Sequence, residues 1–341
     1  MRAKLFLVSM LIILVVVQPG FAGSKDRAGT SGAVELLLPV GARGVALGGS
    51  YVAYATGVDA VYWNPAGLSL MKSSVSAMFS HMSYIADIGV EYGVVGVNFP
   101  GFGALGLSFK TISFGDIPYT TEDAIDGTGT YSPQFYTLGV TYSRELTDKI
   151  HVGATMHFLS ENIMRTSATG FAISAGVQYR GLANIKGLQI GLVLKNLGPD
   201  MTFDGSDLYR TADAQGTDRG AQLYKIEAAP FGLPSSLEMG VAYQQPFGED
   251  NMLTLSGSFQ NNNYSYDEYK VGLEFAYKDL LYLRGAYTMA PEVENSEDFL
   301  YGPSFGIGAH YFAGIELTAE YAYRWVRYFD ANHVITLTLG F

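Results

Sequence analysis

The sequence predicts an all-β protein: a 14-stranded antiparallel transmembrane β-barrel with an N-terminal hatch, or plug, held inside the lumen. Three observations predict it. The first is composition. The 341 residues include 41 Gly, 24 Tyr and 20 Phe but no Cys, and only 16% are charged, against about 25% in an ordinary soluble domain. The second is a series of fourteen segments in which apolar residues alternate with small or polar ones, the period-two mark of strands with one apolar face. The third is the spacing of those segments, with short connections interleaved among longer ones, as periplasmic turns and external loops are in an outer-membrane barrel.

The same composition excludes several classes. A net charge of −11 leaves no basic footprint for phosphates, so nucleic acid is not an expected partner. A chain without Cys has no thiolate metal site and no redox pair. A hydrophobic content of 48% is too high for a disordered chain.

Residues 1–22 read as a cleaved export signal. Arg2 and Lys4 precede the apolar stretch Leu5 to Val17, broken only by Ser9, and Gly20 and Ala22 supply small residues for cleavage after Ala22. The stretch is shorter than the ~20 residues a helical span needs. No run of 18 apolar residues follows it. An exported chain without helical spans but with alternating strands is expected in the outer membrane of a diderm bacterium.

Residues 23–71 are the expected N-terminal extension and hatch. From Ala33 onward this stretch is apolar and Gly-rich, and too long for an idle leader. The series Gly41, Gly44, Gly48, Gly49 lacks the GxGxxG spacing and the Lys-Ser/Thr of a phosphate loop. Its glycines are expected to let the backbone approach the barrel wall closely. In Trp63-Asn64-Pro65, Asn can bond its own downstream backbone and Pro fixes φ at the start of a turn, with Trp63 as a packing anchor. The group either only shapes the hatch or takes part in gating or ligand contact.

Residues 72–341 are the expected barrel. Its strands are read at 73–82, 91–99, 102–114, 134–145, 151–162, 170–180, 187–196, 235–244, 252–260, 269–277, 280–289, 304–311, 315–323 and 333–341. Most match the ~9–11 residues of a tilted membrane strand, and their number is even, as in single-chain bacterial barrels. Faces such as Thr254, Ser256, Ser258 and Gln260 suit a crowded wet lumen, and faces such as Ile335, Leu337 and Leu339 suit lipid. Strands returning to the periplasm then end at Phe99, Tyr142, Tyr179, Tyr243, Tyr277, Tyr311 and Phe341, an inner aromatic girdle. A terminal aromatic at Phe341 resembles the signal read by the barrel-assembly machinery.

Charges on the lumen faces are Lys195, Glu238, Lys270, Glu274, Arg284, Glu316, Glu320 and Arg324. They form either a paired, hydrated network that also holds the hatch or a ladder lining a substrate path. The five His have no metal-ligand spacing, and no Ser–His pair stands out, so neither an enzyme nor a cofactor is expected. Acidic residues of the external loops, among them Asp116, Asp123, Asp204 and Asp207, lack calcium-loop spacing. The connection 197–234 is too long for a bare connector and reads as a lid or docking surface.

Several motifs point to a family. Gly41-Ala42-Arg43, Leu47-Gly48-Gly49-Ser50-Tyr51-Val52-Ala53, Asp59-Ala60 and Trp63-Asn64-Pro65-Ala66-Gly67-Leu68 resemble the start of the PorV/PorQ family, part of the wider FadL-like group of long-chain fatty-acid transporters. Lys195-Asn196-Leu197-Gly198-Pro199, Leu283-Arg284-Gly285-Ala286-Tyr287 and Glu320-Tyr321-Ala322-Tyr323 follow in the family's order. The resemblance implies a 14-stranded barrel with an N-terminal hatch, and makes Gly41, Arg43, Gly48, Gly49, Asp59, Trp63, Asn64, Pro65 and Gly67 hatch or gating residues. It implies two roles. One is an accessory or shuttle part in type IX-like secretion, binding the C-terminal signal domains of secreted proteins at the external loops. The other is a channel for a hydrophobic ligand such as a long-chain fatty acid. Outer-membrane lipid is the expected surrounding in both.

Overall fold

A computed structural model describes residues 29–213, 220–293 and 299–341, together with Arg27. The expected export signal lies outside the described residues. Fourteen long strands build the wall: β1 (Val75–Ser83), β2 (Gly89–Phe99), β3 (Gly103–Ser113), β4 (Gln134–Thr147), β5 (Ile150–Ile163), β6 (Thr166–Arg180), β7 (Leu188–Leu197), β8 (Ser236–Phe247), β9 (Asn251–Asn262), β10 (Glu268–Tyr277), β11 (Leu281–Met289), β12 (Tyr301–Phe312), β13 (Glu316–Val326) and β14 (Asn332–Gly340). Each is antiparallel to its neighbours in chain order, and β1 pairs with β14, with Phe79 opposite Leu337, to close the barrel. Each of the fourteen segments read from alternation overlaps one strand. Their ends differ by a few residues: β6 starts at Thr166 rather than 170, because Met164, at φ 54, makes a tight turn that lets β5 and β6 pair to their tips.

Burial follows the pleat. In β14, Val334 and Thr336 are buried while Ile335 and Leu337 are exposed. In β9, Thr254, Ser256 and Ser258 are buried, and Leu273 of β10, Leu283 of β11 and Ile307 of β12 are exposed. Small and polar residues therefore face inward and apolar residues face outward. This inversion is what a wall standing in lipid requires. At the seam, Phe341 exchanges backbone hydrogen bonds with Val75 (2.8 and 3.2 Å) and leaves its ring exposed.

The interior is filled by residues 33–71. They form a 3₁₀ turn (Val34–Leu36), helix α1 (Ala42–Ala46), a turn (Gly57–Asp59), helix α2 (Ala60–Trp63) and a 3₁₀ turn (Pro65–Leu70). Leu47, Tyr51, Val52, Ala53, Ala55 and Leu68 are fully buried. A lumen-facing wall of Gly, Ser, Thr and Ala has no core of its own, so the apolar residues of this inner segment supply it. Hydrogen bonds tie the two together: Ala42 N–H donates to Thr336 Oγ1 (2.8 Å), Gly41 N–H to Ser80 Oγ (3.2 Å), and Ser143 Oγ–H to the Ala66 carbonyl (2.8 Å).

The wall is irregular in two places. The β6–β7 register shifts between Ile173 and Ala175, and the chain leaves the wall after Leu197. The long connection then turns over the barrel mouth, where Met201 and Phe231 pair as an isolated bridge and Asp204–Gly205 pair with β6. The β11–β12 pairing ends at Tyr287–Pro303, and the β12–β13 register shifts between Tyr301 and Ser304. Pro303 has no N–H to continue the ladder.

Candidate functional site

The inner segment is pinned at two points. The first is ionic. Arg43 of α1 forks onto Glu274 of β10, with Nε to Oε2 at 3.0 Å and Nη2 to Oε1 at 2.8 Å. Arg284 of β11, directly opposite Glu274, donates to the same carboxylate at 2.6 Å and reaches Glu320 of β13 at 2.8 Å. One buried carboxylate thus sits between two guanidinium groups, the planar geometry that makes such pairs strong and directional. Arg43 also lies 4.9 Å from the centre of the Tyr51 ring. Asp59 stands beside this network with a buried Oδ1 that has no hydrogen-bond partner. Burial, and then the Glu320 charge, push its carboxyl up to about 7. Gly41, at φ 79, leaves room for it: a Cβ there would lie 2.8 Å from Asp59 Oδ1.

The second point is the Trp-Asn-Pro-Ala-Gly stretch. Trp63 donates Nε1–H to the Val40 carbonyl (3.1 Å). Asn64 is fully buried and donates Nδ2–H to the carbonyls of Val52 (2.9 Å) and Val177 (3.3 Å), while its Oδ1 accepts from Ala66 N–H (3.2 Å). It caps the turn Pro65–Leu70, in which Pro65 takes the first position, where its missing N–H costs nothing. Gly67 lies so close to the Ala55 carbonyl that a Cβ would fall 1.9 Å from the oxygen. Gly48 and Gly49 make a left-handed turn (φ 59 and 81) against Thr288 and Lys270.

The eight wall charges fall into three groups. Glu274, Arg284 and Glu320 belong to the ionic pin. Glu316 lies apart, accepting from Ser73 (2.8 Å). Lys195, Glu238, Lys270 and Arg324 surround a cavity of about 540 Å³ above the inner segment. Lys195 pairs with Glu238 (2.8 Å) and Lys270 with Glu268 (3.2 Å). Arg324 donates to Asn332 Oδ1 (2.7 and 3.0 Å) and stacks 4.0 Å over the Tyr301 ring. The floor is apolar, formed by Leu36, Leu38, Pro39, Val45 and Trp63. The cavity is therefore apolar below and polar or charged at its rim.

A second hollow of about 360 Å³ lies where β11 and β12 part, lined by Tyr287, Pro303, Trp325 and Arg327. Phe299 and Tyr301 line both hollows. Sequence reasoning missed three buried charges near the mouth. Lys110 donates to the Leu38 carbonyl (3.1 Å) and lies 4.9 Å from the Tyr62 ring, and Glu35 and Glu161 are both buried. Lys110 was legible, since it continues the inward series Gly106, Ser108 of β3. Among the described residues there is no group of three or more His, Cys, Asp or Glu that could hold a metal ion.

Comparisons with known proteins agree with this architecture. The family profile described as "Type IX secretion system protein PorV" matches residues 21–208, more than half of the chain. No curated protein matches it. Among solved structures, the Ralstonia pickettii toluene transporter TbuX is similar, with a TM-score of 0.56 and 15% identity over 88% of this chain and 98% of that one. A Pseudomonas aeruginosa FadL homologue gives 0.54 with 12% identity over 89% and 98%. The Pseudomonas putida toluene transporter TodX gives 0.52 with 13% identity over 87% and 96%. At these identities the likeness is one of fold: the barrel and its filled lumen.

Proposed function

Since the chain belongs to the PorV family of outer-membrane barrels, we propose that it serves type IX-like secretion as an accessory or shuttle subunit. It binds secreted proteins at its external face while residues 33–71 act as a hatch that keeps the lumen closed. The observation that carries this reading is the division of the lumen. Its lower part is occupied by a segment tied to the wall by Arg43–Glu274–Arg284 and by Asn64. Its mouth offers an amphipathic cavity beside the connection 198–235, whose hairpin Tyr209–Ala212/Gln222–Lys225 is exposed. An exposed structured hairpin and a polar-rimmed cavity on the same connection's path support docking of a polypeptide. The test is deletion of residues 209–225 in cells that carry a type IX cargo. Loss of cargo secretion and of cargo co-purification, with normal barrel levels, is the expected result; unchanged secretion overturns the reading.

A second reading, passage of hydrophobic solutes, is favoured by the parting of β11 and β12. Among the described residues, Phe299 and Tyr301 line both hollows there, so their movement would join the cavity to the lipid-facing side. In that case Tyr301→Ala raises uptake of a long-chain fatty acid or toluene, and trimming the 209–225 hairpin has no effect.

A further inference from the structure

The mouth of the barrel holds an unusual pair of carboxyl groups. Glu35 sits in the turn Val34–Leu36 and is 1% exposed; Glu161 of β5 is 3% exposed. Among the described residues, neither Glu35 oxygen has a hydrogen-bond donor beyond its own backbone amide. The Glu161 carboxyl lies within hydrogen-bonding reach of Glu35 and also takes a hydrogen bond from the Ala33 backbone amide. Of the cations nearby, Lys110 attracts Glu35 through space but makes no ion pair with it. Lys110 of β3 donates to the Leu38 carbonyl, Lys195 of β7 pairs with Glu238, and His157 of β5 bonds Ser174 Oγ. Around the turn, the other elements present neutral side chains: Phe135 and Thr137 from β4, Ala168 and Ala172 from β6, Met201 and Leu233 from the long connection.

Two ionised carboxylates in so dry a place repel each other, and one proton between them satisfies both. Burial first, and the Glu161 charge second, push the Glu35 carboxyl up to about 8.

The same turn carries the cover of the barrel. Ala33 and Leu36 pack with Met201 and Leu233, Gly32 N–H donates to the Gly232 carbonyl (3.1 Å), and the Phe231 ring fills the space beside Gly32. The turn and the connection 198–235 are thus packed together at Met201 and at Phe231–Leu233.

We propose that Glu35 and Glu161 form a proton latch: one proton held between them keeps the turn Val34–Leu36 and the overlying connection seated, and its loss in alkaline surroundings releases both. The sign follows from linkage. Once released into water, Glu35 returns to the ordinary carboxylate range, so the seated state binds the extra proton. The ratio of seated to released forms then falls as pH rises, by at most about tenfold per pH unit, until Glu35 has ionised in the seated state near pH 8, and is level above that. This inference adds a regulation to the proposed function and rests only on residues 33–71 closing the lumen. Its test reads the position of the cover rather than secretion, so the two can fail separately.

The chain has no native Cys, so spin labels at Leu223→Cys on the hairpin and Phe329→Cys on the far rim report one distance. Both positions are exposed. In the full-length protein in lipid nanodiscs, electron–electron double resonance should give one distance at pH 6. At pH 9 it should show a second, displaced population increased at least about tenfold. Glu35→Gln and, separately, Glu161→Gln put an amide where the protonated member stood, able to donate to the remaining carboxylate at any pH, and should hold the pH 6 distance at pH 9. Identical distributions at the two pH values, or Gln variants that shift as the wild type does, overturn the latch.

Discussion

Asn64 and Gly176 share one volume. The Oδ1 of Asn64, in the inner segment, lies 2.0 Å from the point a Cβ on Gly176 of β6 would occupy. The same Asn side chain donates to the carbonyl of Val177, the next residue along the wall. The Asn-Pro turn and the wall glycine are therefore one fitted contact, made by residues 112 positions apart in the chain.

Gly176→Ala should displace Asn64 and loosen the inner segment while leaving the barrel closed. Overpacking of a fitted site costs about 1–3 kcal/mol. Limited proteolysis should cut within residues 33–71 of the variant but not of the wild type, while both keep the heat-modifiable gel mobility of a folded barrel.

Glu274→Gln removes the carboxylate that Arg43 and Arg284 share and leaves two guanidinium groups facing a neutral amide. Removing one partner of a buried pair costs about 3–5 kcal/mol, and here the loss falls on the contact between segment and wall. In planar bilayers the wild type should be nearly closed and the variant should show discrete openings. Equal conductance would mean the ionic pin does not hold the segment.

Asp59 makes the packing of the segment depend on pH. Its carboxyl titrates at about 7 when seated, through burial first and the Glu320 charge second, and in the ordinary carboxylate range when released. The seated state holds the extra proton, so its stability is full below about pH 4, falls as pH rises to 7, and is level above. Asp59→Asn removes this component. The chain has two Trp, so in a Trp325→Phe background Trp63 reports release of the segment alone. The urea midpoint should drop less between pH 5 and pH 8 in the Asn variant than in its parent.

The register of β14 can be tested with two adjacent positions. Leu337 is exposed and stands opposite Phe79, and Thr338 stands opposite the buried Met78. Leu337→Arg should cost about 2–4 kcal/mol, if near the bilayer midplane. Thr338→Arg should cost less, since Thr338 faces inward and is only partly buried, away from lipid. Folding titrations in lipid vesicles should separate the two.

The wall was legible in the sequence because a strand in lipid repeats every two residues and leaves its mark locally. Ile335, Leu337 and Leu339 against Val334, Thr336 and Thr338 are enough to orient β14, and thirteen similar segments complete the barrel. The inner segment was legible as apolar and Gly-rich, and its Asn-Pro turn as a turn. Which residues meet was decided only in three dimensions. That Arg43 forks onto Glu274, 231 positions away, or that Glu35 faces Glu161, depends on the shear of the closed barrel and on the depth at which the segment sits. No local period records either. The sequence by itself determined a barrel, its lipid face and an interior filler. Only the tertiary structure decided which charges are paired and which carboxyls are buried, because pairing and desolvation arise where distant segments meet.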